Sequence, residues 1–376
     1  MMEKKVYLSS PHMSEEGYEL QYIQEAFDTN WIAPLGNNVT EFENKVCSFI
    51  GSKSAAALNS GTAAIHMALK AAEVGVGDLV FCQSLTFSAT VNPIIYQQAI
   101  PVFIDSDDKT WNMDPELLKD AFVRYEKVGK KPKAVMIAHL YGIPARIDEI
   151  RDICQRYDTQ LIEDAAESLG SLYKGRYTGT FGDYGIFSFN GNKIITTSGG
   201  GMVVSNHSER IQKIKFWSSQ SREEVRHYEH NELGYNYRLS NICAGIGRGQ
   251  LKVLSQRVTR KREIYQYYKS HLEEIPQIHM MPNNEGTYQN CWLSCITLHG
   301  KITPIEIIEA LEEKGIEARP IWKPMHLQPY FKKFDYVGKG VSDSIYLNGL
   351  CLPSDTKMTN EDMDYVMNVI KDLYQR

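Results

Sequence analysis

The segment from Ser188 to Gly201 contains the residues whose types and spacing most clearly point to chemistry. Lys193 follows the apolar run 185–189, and a triple glycine at 199–201 comes shortly after it. A lysine that projects inward from a sheet edge loses hydration, and burial with neighbouring cations lowers the pKa of its amine. The neutral amine is a nucleophile that condenses with an aldehyde cofactor. A lone lysine at such a position is more often an exposed loop residue. The other residues of the pattern therefore decide whether Lys193 is catalytic.

The first companion is Asp164, at the end of the strand-like run 160–163. An acid at the end of a buried strand faces the ligand crevice of a sheet and is costly to leave unpaired there. Pyridoxal phosphate needs such an acid, because a carboxylate opposite its ring nitrogen keeps that nitrogen protonated and the ring electron-withdrawing. Taken alone, Asp164 would equally suit a metal ligand or a helix cap.

The second companion is the small-residue turn at 59–64, which contains Ser60, Gly61 and Thr62 and predicts the start of a helix. Free backbone amides at a helix N-terminus bind phosphate. Any N-capped helix gives this pattern, so the turn gains meaning only from the other residues. Since no Gly-x-Gly-x-x-Gly follows the first strand and no P-loop lysine is present, dinucleotide and P-loop sites lack support.

Alternating strands and helices are predicted to position these residues. The predicted strands are 55–58, 79–83, 102–105, 134–140, 160–163, 185–189 and 202–205. The helical patterns between them include 62–72, 115–125 and 147–157. This alternation predicts βαβ units and a mostly parallel sheet with helices on both faces, whose ligands collect at the carboxyl ends of the strands. Each candidate residue follows a predicted strand.

The pattern changes after about residue 240. The predicted elements there are a helical stretch at 239–272, a strand at 290–298, a helix at 304–314, a strand at 316–319 and a closing helix from Asn360. A chain of 376 residues suits two domains. We therefore predict a large α/β domain at 1–245, with an N-terminal arm, and a small α+β domain at 246–376.

The overall composition excludes several classes of function. A net charge of −5 gives no broad basic surface for nucleic acid. The seven cysteines are irregularly spaced, which argues against a disulfide framework or a zinc site, and no metal is expected. Neither a signal peptide nor a run of about 18 apolar residues is visible. The prediction is a cytoplasmic enzyme or binding protein that does not enter a membrane.

Taken in order, these motifs resemble the DegT/DnrJ/EryC1/StrS nucleotide-sugar aminotransferases of the fold-type I aspartate aminotransferase superfamily. The resemblance covers essentially the whole chain and includes the segments 30–36, 234–240 and 319–326. It implies an α/β fold of type I, with a mixed, mostly parallel seven-stranded sheet in the large domain and a small α+β C-terminal domain. It also implies a pyridoxal 5′-phosphate-dependent transfer of an amino group from glutamate to a keto nucleotide sugar.

The resemblance implies individual roles at the cofactor. Lys193 would hold it as a Schiff base, Asp164 would pair with the pyridine nitrogen, and Phe87 would stack on the ring. Asn236 matches a residue that reaches the phosphate from the partner subunit, which implies a homodimer with a shared active site. The positions that match the phosphate cup are Gly61, Thr62 and Ser188.

Other positions match the substrate side of the site. Arg238 matches a position that could serve the carboxylate of the amino donor, with a structural salt bridge as the open alternative. His326 and the loop with Asn30 and Trp31 match regions that line the sugar-nucleotide site. Glu167 departs from the pattern, because many members have Gln near the phenolic oxygen of the cofactor. A carboxylate there would repel the phenolate unless it were protonated or turned toward another donor.

Two further features narrow the predicted reaction. Members with histidine in place of the lysine are dehydratases, so Lys193 argues against that branch. The segments 29–36, 103–106 and 110–113 look like those of members that aminate C4 of UDP-4-keto-6-deoxy-N-acetylglucosamine. The predicted mechanism is a ping-pong transamination in which the Lys193 amine moves the proton in both halves. The alternatives are amination at C3 or of GDP- or dTDP-linked sugars, another fold-type I reaction such as a carbon–sulfur lyase or decarboxylase, and a non-catalytic sensor.

Overall fold

The computed structural model describes residues 5–375, in which strands and helices alternate along the first half. Twelve α-helices lie in this range: α1 (Tyr18–Asp28), α2 (Asn37–Ile50), α3 (Gly61–Ala71), α4 (Ser88–Tyr96), α5 (Pro115–Glu126), α6 (Ile147–Arg156), α7 (Ser208–Ser218), α8 (Asn241–Lys252), α9 (Leu254–Leu272), α10 (Pro304–Glu312), α11 (Val341–Asn348) and α12 (Asn360–Tyr374). The same residues form fifteen strands: β1 (Ser54–Leu58), β2 (Leu79–Gln83), β3 (Ile100–Ile104), β4 (Pro132–Ala138), β5 (Gln160–Asp164), β6 (Leu172–Tyr173), β7 (Arg176–Tyr177), β8 (Tyr184–Ser188), β9 (Gly201–Ser205), β10 (Ile278–Met280), β11 (Thr287–Tyr288), β12 (Ser294–Leu298), β13 (Arg319–Pro320), β14 (Tyr336–Val337) and β15 (Gly349–Leu352).

The main sheet has eight strands within residues 5–375, in the order β1-β9-β8-β5-β4-β2-β3-β14. The run from β8 to β14 is parallel, and β9 is antiparallel to both of its neighbours. All seven strands predicted from the sequence are present. The eighth strand, β14, has two residues and pairs in parallel with the end of β3, where Tyr336 lies next to Phe103. A strand of two residues gives no periodic signal, so it was missed.

Both faces of this sheet are buried, which explains the continuous apolar runs of its strands. Alternate residues of β2 point to opposite faces, so Val80 belongs to one core cluster and Phe81 to another. Helices α3, α4 and α7 contribute to the Val80 cluster, and α5 and α6 contribute to the Phe81 cluster. The polar residues at the strand ends are thereby held on a rigid frame.

The predicted amphipathic helix near residue 150 illustrates how the sequence determines its packing. In α6 the buried residues are Ile147, Ile150, Ile153 and Cys154, which share one face at helical spacing. The preceding helix, α5, begins at Pro115, where the side chain of Asp114 accepts a hydrogen bond from the amide of Glu116. The two helices cover the sheet face opposite α3.

The C-terminal part contains a second, antiparallel sheet with the order β10-β12-β15-β13. Helices α9, α10 and α12 share its core. The predicted strand 290–298 begins only at Ser294, because Cys291 has a left-handed backbone (φ 52°) and residues 290–293 turn. The predicted strand 316–319 is also displaced: Ile316 forms a single parallel bridge with Val6, and β13 starts at Arg319.

The helical stretch predicted at 239–272 consists of two helices, α8 and α9, separated by Val253. Helix α8 packs on α1 and α2 of the N-terminal region. The domain boundary predicted after residue 245 falls inside α8, and that boundary stays a prediction.

Candidate active site

A cavity of about 360 Å³ opens at the carboxyl ends of β5 and β8, where β5 ends at Asp164 and β8 ends at Ser188. Its volume lies in the range of roughly 300–1,000 Å³ that small-molecule sites occupy. Trp292 and Trp322 of the C-terminal half close it on one side. The predicted residues that line it are Gly61, Thr62, Phe87, Asp164, Glu167, Ser188 and Lys193.

One end of the cavity is the N-terminus of α3. Ser60 is its N-cap, and its side chain accepts a hydrogen bond of 3.0 Å from the amide of Ala63. The first amides of a helix have no partner within the helix, so those of Gly61 and Thr62 are free for an anion in the cavity. Glycine is favoured at position 61, because an added Cβ would lie 3.2 Å from the Cβ of Ser188.

Asp164 occupies another wall. Its carboxylate accepts hydrogen bonds from the hydroxyl of Thr90 (2.7 Å) and from the amide of Ala166 (3.1 Å). Only 8% of the residue is exposed, and burial raises the pKa of its carboxyl above the ordinary value. A cationic group in the cavity would offset this penalty.

Lys193 and Glu167 form an ion pair inside the cavity. The Nζ of Lys193 lies 3.4 Å from Oε1 of Glu167, and the other carboxylate oxygen accepts a hydrogen bond of 2.7 Å from the amide of Tyr141. Burial raises the pKa of Glu167 to about 7, and the Lys193 charge opposes this rise. Glu167 therefore has other donors for its carboxylate, which is one of the two outcomes that its sequence position predicted.

The aromatic wall was largely missed by the sequence reasoning. The ring centre of Trp292 lies 3.9 Å from the Nζ of Lys193, a cation–π contact. The ring centres of Trp322 and Phe87 lie 5.2 Å apart, and Phe87, which also lines the cavity, is 53% exposed. The motif at 319–326 contained Trp322, so that residue could have been proposed. Trp292 gave no local signal, because its partner is distant in sequence.

The residues present fit pyridoxal phosphate. Helix-terminal amides suit its phosphate, and the buried acid Asp164 suits a protonated ring nitrogen. The Lys193 amine suits its aldehyde, and the exposed ring of Phe87 suits stacking. These four groups line one cavity, which neither Asp164 nor the α3 turn could have indicated alone.

Arg238 and His326 lie outside the lining of this cavity. The Arg238 guanidinium forms an ion pair of 3.0 Å with Glu43, which matches the structural alternative left open for it. Nδ1 of His326 forms a hydrogen bond of 2.7 Å with the Ser84 hydroxyl, and Nε2 lies 3.0 Å from a carboxylate oxygen of Asp343. Their predicted substrate contacts stay predictions.

Asn30, Trp31 and Asn236 are also away from the cavity within this chain. Asn30 has a left-handed backbone (φ 54°), and the side chain of Asn241 donates a hydrogen bond of 2.7 Å to the Trp31 carbonyl. Trp31 lines a separate cavity of about 400 Å³, and its side chain is nearly half exposed. Asn236 is exposed, and its carbonyl accepts a long hydrogen bond of 3.4 Å from Asn59.

A larger cavity, about 750 Å³, lies at the opposite, amino end of the strands, where β5 begins at Gln160. Its cationic side chains have neighbours of their own. Arg210 donates to Gln160 (2.9 Å) and to the hydroxyl of Tyr184 (3.1 Å), and Lys131 pairs with Asp158 at 3.4 Å. It lacks a buried amine beside an acid, so the smaller cavity is the candidate active site.

Two features are absent from the described part of the chain, residues 5–375. No group of three or more His, Cys, Asp or Glu side chains there is placed to hold a metal ion. No helix there combines the length and the apolar character needed to cross a membrane.

Comparison with known sequences agrees with this geometry. The family model described as the DegT/DnrJ/EryC1/StrS aminotransferase family matches residues 13–371. A Bacillus subtilis protein named as a pyridoxal phosphate-dependent aminotransferase, EpsN, is 51% identical over 99% of this chain and 97% of its own. GDP-perosamine synthase of Escherichia coli O157:H7 is 36% identical over 98% and 99% of the two chains. A UDP-4-amino-4,6-dideoxy-N-acetyl-β-L-altrosamine transaminase of Campylobacter jejuni is 32% identical over 91% of each.

Comparison with solved structures gives the same result. A DegT/DnrJ/EryC1/StrS aminotransferase from Brucella abortus superposes with a TM-score of 0.90, at 28% identity, over 96% of each chain. The superposition covers nearly the whole chain, so the fold is that of fold-type I aminotransferases.

Proposed function

This chain belongs to the DegT/DnrJ/EryC1/StrS aminotransferase family and is a pyridoxal-phosphate-dependent sugar aminotransferase, and from that premise we propose its substrates. The proposed amino donor is glutamate. The proposed acceptor is UDP-4-keto-6-deoxy-N-acetylglucosamine, aminated at carbon 4. A single observation supports the reaction type above all others: the Lys193 amine lies beside a carboxyl group in a cavity that also contains the buried Asp164.

The proposed chemistry depends on proton transfers at Lys193. When bound, pyridoxal phosphate supplies a ring that stabilises negative charge at the carbon that loses a proton. In the first half-reaction Nζ of Lys193 would remove the proton from Cα of glutamate and deliver it to the cofactor carbon that retains the amino group. In the second half-reaction the same atom would remove that proton again and deliver it to C4 of the sugar. One tethered amine can serve both halves, because it remains beside both reacting carbons.

The other residues of the cavity orient the reactants and tune the charge. Asp164 holds negative charge where a ring nitrogen would be protonated, and the Gly61 and Thr62 amides bind a phosphate. Glu167, with a pKa near 7, can hold a proton or a negative charge beside Nζ of Lys193. The Trp292 and Trp322 rings limit the access of water on that side.

The proposed sugar is supported by sequence segments and by the names of relatives. The Campylobacter jejuni relative is named for a UDP-linked 4-amino-4,6-dideoxy sugar, which is the class of product proposed here. The Escherichia coli relative is more similar and is named for a GDP-linked sugar, which favours a GDP-linked acceptor as the second candidate. Both candidates are nucleotide sugars, and they differ in the nucleotide base.

We also propose that the enzyme is a homodimer whose partner subunit completes the site. Trp31, Leu35 and Leu233 expose 48%, 65% and 71% of their surfaces near the two segments that the family resemblance assigns to the shared site. Asn236 is exposed and lies outside its own chain's cavity. If it serves the partner's cavity, inactive Lys193→Ala and weakened Asn236→Ala chains should regain activity when they are mixed. Mixtures that stay as inactive as the separate variants would contradict the shared site.

The acceptor is tested by incubating the purified enzyme with ¹⁵N-glutamate and a panel of 4-keto and 3-keto sugars linked to UDP, GDP and dTDP. Mass spectrometry then shows which sugar gains nitrogen, and NMR shows at which carbon. We expect the UDP-linked 4-keto-6-deoxy-N-acetyl sugar to be aminated fastest. Lys193→Ala is the matched control, because it retains the cavity walls but lacks the amine.

Two outcomes would overturn the proposal. Faster amination of a 3-keto sugar would replace the proposed carbon. Release of pyruvate or carbon dioxide from amino acids, with no amination of any sugar, would indicate a lyase or a decarboxylase instead.

A further inference from the structure

Lys261, in the middle of α9, is buried and has no carboxylate among its hydrogen-bond acceptors. Its exposed fraction is 2%, and its Nζ donates hydrogen bonds of 2.9 Å to the Ser9 hydroxyl and 2.9 Å to the Trp292 carbonyl. Both acceptors are uncharged, and the charge of Asp355 acts on this amine without a direct contact. Burial lowers the pKa of Lys261 to about 7.

A lysine in this position is unfavourable for stability alone. Transfer of an amine from water to the interior is costly, and well-packed apolar side chains often replace buried charges without loss of stability. The two acceptors of Lys261 therefore indicate what it contributes. Ser9 belongs to the N-terminal arm, and Trp292 precedes β12 of the C-terminal sheet.

Both acceptors lead to the loop that carries Lys193. The Ser9 hydroxyl donates to the Asn192 carbonyl at 3.2 Å, and Nε1 of Trp292 donates to the same carbonyl at 2.7 Å. The Asn192 carbonyl belongs to the peptide bond that precedes Lys193. The Trp292 ring also faces the Lys193 amine at 3.9 Å, so one indole restrains both the backbone and the side chain of this loop.

We propose that Lys261 is a positioning residue for Lys193. Its amine links Ser9 of the N-terminal arm to the backbone of Trp292. The Ser9 hydroxyl and the Trp292 indole then hold the carbonyl that precedes Lys193, and the indole ring stays against the Lys193 amine. The inference rests on the proposed function, because it assigns Lys193 as the reactive amine. It adds to that function a residue outside the cavity lining.

The first test measures hydrogen exchange at the amide of Lys193, which donates to the Asn190 carbonyl at 3.1 Å. In the cofactor-free protein, Lys261→Met should increase its exchange about tenfold, since a lost buried hydrogen bond to a charged donor has an effect of that size. The melting temperature should change by no more than about 3 °C. Removal of the buried amine is stabilising, whereas the loss of the donor to the Trp292 carbonyl is destabilising. Ser9→Ala should increase the same exchange by a smaller factor.

The matched control is Lys269→Met on the same helix. Lys269 is partly exposed and lies 3.9 Å from Glu273, so this variant makes the same Lys-to-Met replacement without touching the Lys193 loop. Its exchange rates at 190–193 should equal those of the wild type. If Lys261→Met does not fold, Ser9→Ala decides the test by itself, because its side chain lies at the surface end of the network.

The second test follows the uptake of pyridoxal phosphate by absorbance and fixes the product with borohydride. We expect Lys261→Met to reach full occupancy about tenfold more slowly than the wild type, in line with its looser loop. Wild-type exchange and wild-type uptake in a folded Lys261→Met protein, or in Ser9→Ala if that variant must decide, would overturn the positioning role. Absence of any borohydride-fixed cofactor in the wild type would instead overturn the proposed function, so the two failures are distinguishable.

Discussion

Acidic side chains lie on two sides of the end of β5, and the two sides differ in how many hydrogen-bond donors surround each carboxylate. Glu163 points to one side and is fully buried. It accepts hydrogen bonds from the amides of Gly179 (2.9 Å), Phe181 (2.6 Å) and Gly182 (2.6 Å). It also pairs with Nε2 of His139 at 3.0 Å. Every accepting position of this carboxylate is used.

The second region, on the cavity side, leaves its acids less satisfied. Glu167 has one backbone donor and the Lys193 amine, and Asp164 has one hydroxyl and one amide. Burial raises the pKa of both carboxyls. A carboxylate with a complete set of donors serves the fold, whereas one with room for another proton or cation can take part in a reaction. Neighbouring residues of similar chemistry thus have different roles.

Lys193→Ala should have the largest effect of the variants that test this contrast. We expect turnover to fall by about 10⁴-fold or more, because the variant has neither the nucleophile nor the group that moves the proton. Single-turnover assays and borohydride fixation measure this loss, and circular dichroism should show an intact fold. Turnover within tenfold of the wild type would contradict the assignment of Lys193.

Asp164→Asn tests the second acid of the cavity. The amide oxygen of Asn can still accept from the Ala166 amide and its nitrogen can donate to the Thr90 hydroxyl, but the negative charge is lost, so we expect kcat to fall by about 10²–10³-fold. Stability should change little, because the neutral group no longer pays the desolvation penalty. Steady-state kinetics and thermal melting are measured together, and a loss of stability without a loss of kcat would assign Asp164 to the fold.

Glu163→Gln is the counterpart on the other side of the sheet. An amide cannot accept from every donor around it, so at least one buried N–H group would lose its partner. We expect a loss of about 3 kcal/mol of unfolding free energy, and an unchanged kcat for the folded fraction. Thermal melting and active-site titration separate the two effects. If kcat fell while stability stayed constant, the contrast between the two regions would fail.

Glu167→Gln should have the smallest effect, visible in the pH dependence of stability. The pKa of Glu167 is raised from 4.5 to about 7 in the folded protein. Between these values the folded state binds more protons than the unfolded state, so this group's stabilising contribution is lost as the pH rises. We expect the wild type to lose about 1–3 kcal/mol more than Glu167→Gln between about pH 5 and pH 8. Parallel melting curves for the two proteins across this range would contradict the raised pKa.

Much of this fold could be predicted from sequence because its signals are local. Strands buried on both faces give short apolar runs, and α6 gives a clear helical stripe. Since the carboxyl ends of parallel strands share one edge, Asp164 and Lys193 could be expected to lie near each other. The family motifs then added Phe87, which by itself would have been a core residue, and gave weight to the α3 turn, which by itself would have been an ordinary cap.

The remaining features depend on contacts between distant residues. Trp292 lies a hundred positions from Asn192, to which it donates a hydrogen bond, and no periodic pattern reports such a contact. The Tyr141 amide reaches Glu167 because Tyr141 has a left-handed backbone (φ 53°), a conformation that its residue type does not predict. The ends of the C-terminal strands were misplaced for a similar reason, since the turn at Cys291 left no signal in composition.

The short strand β14 has a consequence for how the molecule behaves in concentrated solution. It occupies the outer side of β3, which would otherwise present a row of unpaired backbone groups to other chains. It pairs with Phe103 and Ile104, so the border of the sheet beside these two of the five β3 residues is a strand of only two residues. A strand of that length offers too few backbone groups for a neighbouring polypeptide to extend, so this part of the border is protected against edge-to-edge aggregation.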